Sequence, residues 1–153
     1  MRTVLAALTC ISCALAADVA NLSGTWKLNL KKSHYEKEGA PLYVDLKIEH
    51  NEPSLKYSGS VLRHQESPPD TFEFEGAIDD KTYPVKENNN TGRTIKFVRK
   101  TPKSIESWSS DNTMKEHAIM TVSSDGKTLT RRVDVRQSDG KLRRWTEVYD
   151  KQG

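Results

Sequence analysis

Four histidines, His34, His50, His64 and His117, are the first candidates for acid–base or metal chemistry, and their spacing suits neither. A zinc site built on one element needs pairs such as His-x-His or His-x3-His, and none occurs here. Tyr57-Ser58-Gly59-Ser60-Val61 has a serine on either side of one glycine but is not a Gly-x-Ser-x-Gly elbow. No glycine-rich phosphate loop is present, and Asp79-Asp80 lacks the further oxygen ligands of a calcium loop. Both cysteines, Cys10 and Cys13, fall in an N-terminal apolar run, so thiolate metal sites are excluded from the rest of the chain. The expectation is a protein that is not an enzyme and needs no metal or cofactor.

One residue does break a rule. In a strand, Leu129, Arg131, Val133 and Val135 share a face, so Arg131 stands on an otherwise apolar inward surface. A guanidinium stays charged there and must find an anion, because leaving it unpaired costs several kcal/mol or more. Two answers are open. Glu116 or Glu147 balances it internally, or a ligand carboxylate does so at the bottom of a cavity.

The elements that would position Arg131 are strands throughout. Leu22–Leu30 (LSGTWKLNL) puts Trp26, Leu28 and Leu30 on one face, with Gly24 letting the chain enter tightly. Leu42–His50 alternates, with Leu42, Val44, Leu46 and Ile48 on one side; Asn51-Glu52-Pro53 then turns. Leu55, Tyr57, Gly59 and Val61 share the next face, and Gly59 marks a bulge or bend. Phe72 and Phe74 alternate with acids, a short strand follows at Thr82–Lys86, and Asn88–Gly92 is a loop. Arg93–Lys100 and Lys103–Ser110 follow, the latter a weaker pattern containing Ile105 and Trp108.

The last third is the most legible. Asp125-Gly126 and Asp139-Gly140 are hairpin signals between Met114–Ser123, Lys127–Gln137 and Lys141–Lys151. The first turn pairs Val122 with Leu129, Met120 with Arg131 and Ala118 with Val133. At the second turn, a two-residue loop sets Arg132 opposite Glu147. A three-residue loop, Ser138-Asp139-Gly140, sets Arg131 opposite Glu147 and brings Trp145 and Tyr149 inward. The turn residues favour the shorter loop. About nine or ten short strands and no 3.6-residue periodicity result, and closure into an up-and-down barrel removes their exposed edges.

The chain has 153 residues, enough for one domain, and its first part reads as an export signal. Arg2 is followed by the short apolar run Val4–Leu15, and Ala14-Leu15-Ala16 is a small-x-small cleavage site. The expected division is a signal peptide over residues 1–16 and a barrel domain over 17–153, secreted or periplasmic and without disulfides or a transmembrane segment. A lipoprotein signal acylated at Cys13 is the alternative, weakened by Cys10 where a leucine is wanted. The net charge of +3 includes Arg2, too little to argue for nucleic acid or an anionic membrane. The 29% charged and 35% hydrophobic content suits a thin-cored β protein with one wet face.

Both ends of the domain carry a likeness. Ser23-Gly24-Thr25-Trp26-Lys27-Leu28 resembles the Gly-x-Trp opening of the calycins, the lipocalins and fatty-acid-binding proteins. Trp145-Thr146-Glu147-Val148-Tyr149-Asp150-Lys151 resembles the last strand of the fatty-acid-binding proteins. The chain is most similar to small exported bacterial lipocalin-like proteins. The resemblance implies an all-β, antiparallel, up-and-down, lipocalin-like barrel of about eight to ten strands. In it Gly24 and Trp26 form the plug of the closed end, and Trp26, Arg131, Trp145 and Tyr149 are the candidate ligand contacts. Two departures stand out. Lys31–Pro41 is too short for the family's two-helix lid, and the family's carboxylate-binding arginine on the last strand falls at Glu147, leaving only Tyr149 in common.

Function then follows from the likeness: binding of a small, largely apolar or amphiphilic ligand, with a carboxylate as one option for its polar end. The rival is a protein-interaction barrel such as the periplasmic protease inhibitors, which insert an N-terminal tail into a protease cleft. The tail available here, Ala17–Leu22, is short for that task.

Overall fold

A computed structural model describes residues 19–36 and 39–153. The expected export signal and its cleavage site lie outside the described residues. Among the described residues eleven strands form one antiparallel sheet: β1 (Gly24–Leu28), β2 (Tyr43–Asn51), β3 (Ser54–Leu62), β4 (Asp70–Ala77), β5 (Thr82–Pro84), β6 (Lys86–Glu87), β7 (Thr94–Thr101), β8 (Ser104–Ser110), β9 (Met114–Val122), β10 (Thr128–Gln137) and β11 (Leu142–Lys151). Consecutive strands are neighbours through most of the sheet, and β11 returns to pair with β1. This is the expected up-and-down barrel. No helix long and apolar enough to cross a membrane occurs among the described residues.

The barrel's seam lies between β4 and β7. The single strand expected at Thr82–Lys86 is two pieces broken at Val85: β5 pairs with β7, while β6 pairs with β4. Between them, the Val85 N–H donates to the Arg93 carbonyl at 2.9 Å. One short segment thus stitches both open edges, which leaves the barrel nearly closed and hides edges that would otherwise invite pairing.

Alternation sets the interior. Trp26, Ile105, Leu129 and Val133 are fully buried, and Phe74, Phe97 and Tyr57 form a ring cluster with centroids 5.0 to 6.0 Å apart. Gly59 permits close packing on this wall, because a Cβ there would stand 2.5 Å from Phe72 Cζ and 2.7 Å from the Asp45 carbonyl. Two leucines depart from expectation. β1 ends at Leu28 and β2 begins at Tyr43, so Leu30 and Leu42 lie in the connections and are exposed rather than inward.

Trp26 packs into the core from the middle of β1. Its indole N–H donates to the Leu22 carbonyl at 2.8 Å, satisfying the one polar atom of a ring with no exposed surface. Opposite it in the ladder, Lys151 lays its ammonium 5.3 Å from the ring centroid. Gly24 makes this possible on two counts. Its φ of +148° disfavours a side chain, and a Cβ would sit 2.5 Å from Lys151 Cε.

Candidate functional site

Above Trp26 the barrel encloses a cavity of about 350 Å³. Its wall is mostly apolar, with Val44, Ile48, Leu55, Phe97, Met120 and Leu129 from five different strands. At the other end Tyr35 and Pro41, from the β1–β2 connection, border the space. That connection runs beside β11 through reciprocal His34–Thr146 backbone hydrogen bonds of 2.8 Å, which place the Tyr35 ring in a stack on Trp145.

Arg131 lines the cavity, and two carboxylates hold it. Its Nη1 donates to Glu147 Oε2 at 2.8 Å, and its Nη2 bonds Glu116 Oε1. The register explains the first contact: Arg131 faces Glu147 across the β10–β11 ladder. The loop is the three-residue form, with Gln137 N–H donating to the Lys141 carbonyl at 3.0 Å and Gly140 at a φ of +83°. The two-residue alternative favoured by the turn residues is therefore overturned. Trp145 and Tyr149, two residues to either side of Glu147, face the same way.

Glu147 is saturated. Trp145 Nε1 donates to Oε1 at 2.7 Å, and the Tyr149 hydroxyl donates to Oε2 at 2.9 Å beside Arg131. Burial works to raise its carboxyl, but the Arg131 charge and these donors outweigh it and hold the group below the usual glutamate range. Burial likewise opposes the Arg131 charge, yet Glu116 and Glu147 raise its pKa above the ordinary arginine value. For Tyr149, burial and then the Glu147 charge both push the phenol well above its ordinary value, so it is a donor and not a base.

Sequence reasoning missed several polar groups around this cluster. Ser107 and Ser109 are buried on β8, line the cavity and have no side-chain hydrogen-bond partner among the described residues. They share parity with Ile105; the conspicuous Trp108 points outward instead, stacked on His117 with centroids 4.9 Å apart. The Tyr35 hydroxyl is buried near Glu147, and burial first and then the Glu147 charge push the phenol up. Arg93 lines the cavity near the seam, with Nε 3.2 Å from Glu87 and Nη2 3.6 Å from Asp111.

Of the expected ligand contacts, Arg131, Trp145 and Tyr149 come together on the cavity wall. Trp26 does not line the cavity and stands below it, so its position supports a structural part only. Among the described residues no group of three or more His, Cys, Asp or Glu side chains is arranged to hold a metal ion.

No protein-family model and no curated protein matches the chain. Its structure is similar to that of the fluorescent protein UnaG, with 11% sequence identity and a TM-score of 0.56. The match covers 86% of this chain and 97% of UnaG. The fold is therefore a calycin-like barrel, in line with the resemblance at its two ends.

Proposed function

We propose that this protein is an exported carrier for a small, largely apolar ligand held inside the barrel. The observation that carries the reading is the cavity of about 350 Å³, apolar over most of its wall, with one buried polar cluster at Arg131 to orient a bound molecule. A calycin-like barrel is a fold suited to this use, although fold alone does not assign it. Export is supported by the sequence pattern at residues 1–16.

Arg131 is not the carboxylate hook of such a carrier. Its charge is balanced by Glu116 and Glu147, so an acid head group gains no unpaired cation there. The test is organic extraction of the purified protein with mass spectrometry, together with titration by Nile red, a neutral apolar dye, and displacement by decanol. Saturable dye binding that decanol reverses is expected. Absence of both an extracted molecule and saturable binding would overturn the reading and bring the interaction barrel forward.

A further inference from the structure

The charges of the Arg131 cluster do not balance. Arg131 contributes one positive charge against two negative ones from Glu116 and Glu147, so the cluster carries an excess negative charge in a buried setting. The excess is not shared evenly. Glu147 accepts from Arg131, Trp145 and Tyr149, whereas Glu116 is bonded through Oε1 alone and its Oε2 has no hydrogen-bond partner among the described residues. The Glu116 side chain is only 10% exposed, and it lines the cavity. Directly across the β8–β9 ladder stands Ser109, and Ser107 lies one inward position further along β8. Both hydroxyls open on the same space.

The second arginine follows the same rule: Arg93 faces two carboxylates, Glu87 and Asp111. Two further arginines, Arg63 and Arg143, border the cavity: Arg63 is largely exposed and its field is screened by water and salt, and Arg143 stands two strands away from Glu116, with Val135 between them. In each of the two clusters, at Arg131 and at Arg93, two carboxylates thus meet one arginine. A half-satisfied carboxylate on a largely apolar wall is costly, and a bound cation that donates a hydrogen bond would relieve it.

Resting on the carrier reading above, we infer that the ligand carries a hydrogen-bond-donating cationic head, as in a lipophilic amine, which docks on Glu116 Oε2 between Ser109 and Arg131 with its apolar body against Met120 and Phe97. Free carboxylic acids are disfavoured at this position, because a second anion would meet Glu116 and Glu147.

Three ligands of equal chain length separate the possibilities: decylamine, decanol and decanoate, each displacing Nile red from the wild-type protein and from Glu116→Gln. Decylamine should bind wild type at least about tenfold more tightly than decanoate, with decanol between them. Glu116→Gln should unfold at the wild-type denaturant midpoint or above it, showing an intact fold, and should lose most of the preference for decylamine over decanol. Decanoate binding as tightly as decylamine would overturn the inference while leaving the carrier reading in place. An amine preference that survives in Glu116→Gln would overturn the assignment to Glu116. If none of the three displaces the dye or binds, the carrier reading itself falls, and this inference with it. Should Glu116→Gln fail to fold, Ser109→Ala serves in its place, with a weakened amine preference expected and an unchanged one counting against the site.

Discussion

Arg131 stands directly across from Glu147 in the β10–β11 ladder, Nη1 to Oε2 at 2.8 Å, and this single register contact organises the polar interior of the barrel. Because Glu147 is flanked on its own strand by the inward Trp145 and Tyr149, the same contact that neutralises the arginine also gives both aromatic donors an acceptor. Four side chains on two strands satisfy one another, with Glu116 joining from β9.

Removing members of this cluster should therefore rank in a definite order. Arg131→Met leaves two buried carboxylates facing one another and should cost about 3–5 kcal/mol at neutral pH, the range for breaking a buried pair. Glu147→Gln keeps Arg131 paired with Glu116 but sets an amide NH2 against one of the former donors, for a loss of about 1–3 kcal/mol. Glu116→Gln leaves a neutral Arg131–Glu147 pair and should be close to wild type or more stable. Chemical denaturation of the three variants measures the order; Glu116→Gln as the most damaging change would contradict it.

Truncating the plug should be severe. Trp26→Ala removes a fully buried indole and should cost about 3–5 kcal/mol. Gly24→Ala should also destabilise, since it strains a positive φ and displaces Lys151 from the indole. In the double variant Gly24→Ala with Lys151→Ala the clash is gone and only the backbone strain remains, so part of the loss should be recovered. Unfolding curves that show no recovery would mean that Lys151 is not what Gly24 accommodates.

His50 should make stability depend on pH. The Leu22 N–H donates to its Nδ1 at 3.1 Å, so that nitrogen is unprotonated, and Nε2 lies 3.3 Å from Glu52. Burial lowers the ring's pKa from its ordinary 6.5, against the opposing pull of Glu52. Arg99 in turn bonds Glu52 and the Ala20 carbonyl. The unfolded chain thus takes up a proton near pH 6.5 that the folded protein refuses. The contribution is fully present above that value and is lost as pH falls from it toward the lower folded value, at up to about 1.4 kcal/mol per pH unit. His50→Asn keeps an acceptor for Leu22 without titrating. Thermal unfolding between mildly acid and neutral pH should show a shallower slope for the variant, and equal slopes would remove His50 as the cause.

Export makes a separate prediction. The Ala14-Leu15-Ala16 pattern implies a mature N-terminus at Ala17 and no lipid on Cys13. Intact mass of the protein recovered after secretion checks it; a species beginning at an acylated Cys13 is the contrary result.

Period-two alternation and the Asp-Gly turns were enough to read an all-strand chain and the inward faces of β2, β3, β9 and β10, because in a half-buried strand each residue's face follows from parity alone. The β9–β10 register was readable in the same way: Val122 faces Leu129, Met120 faces Arg131 and Ala118 faces Val133. The β10–β11 register was not, and with it the whole candidate site. Both hairpins carry Ser-Asp-Gly-Lys, and in both the glycine N–H bonds the carbonyl three residues back. In the first, the Ser123 hydroxyl takes the Thr128 N–H and the ladder closes between Ser123 and Thr128; in the second it closes between Gln137 and Lys141. That difference of one residue decides which face Glu147 occupies. The tetrapeptide cannot express it, because the deciding energy lies in distant partners: Arg131 needs an anion across the ladder, and Tyr149 needs both Leu129 and Leu28 beside it to close the barrel on β1.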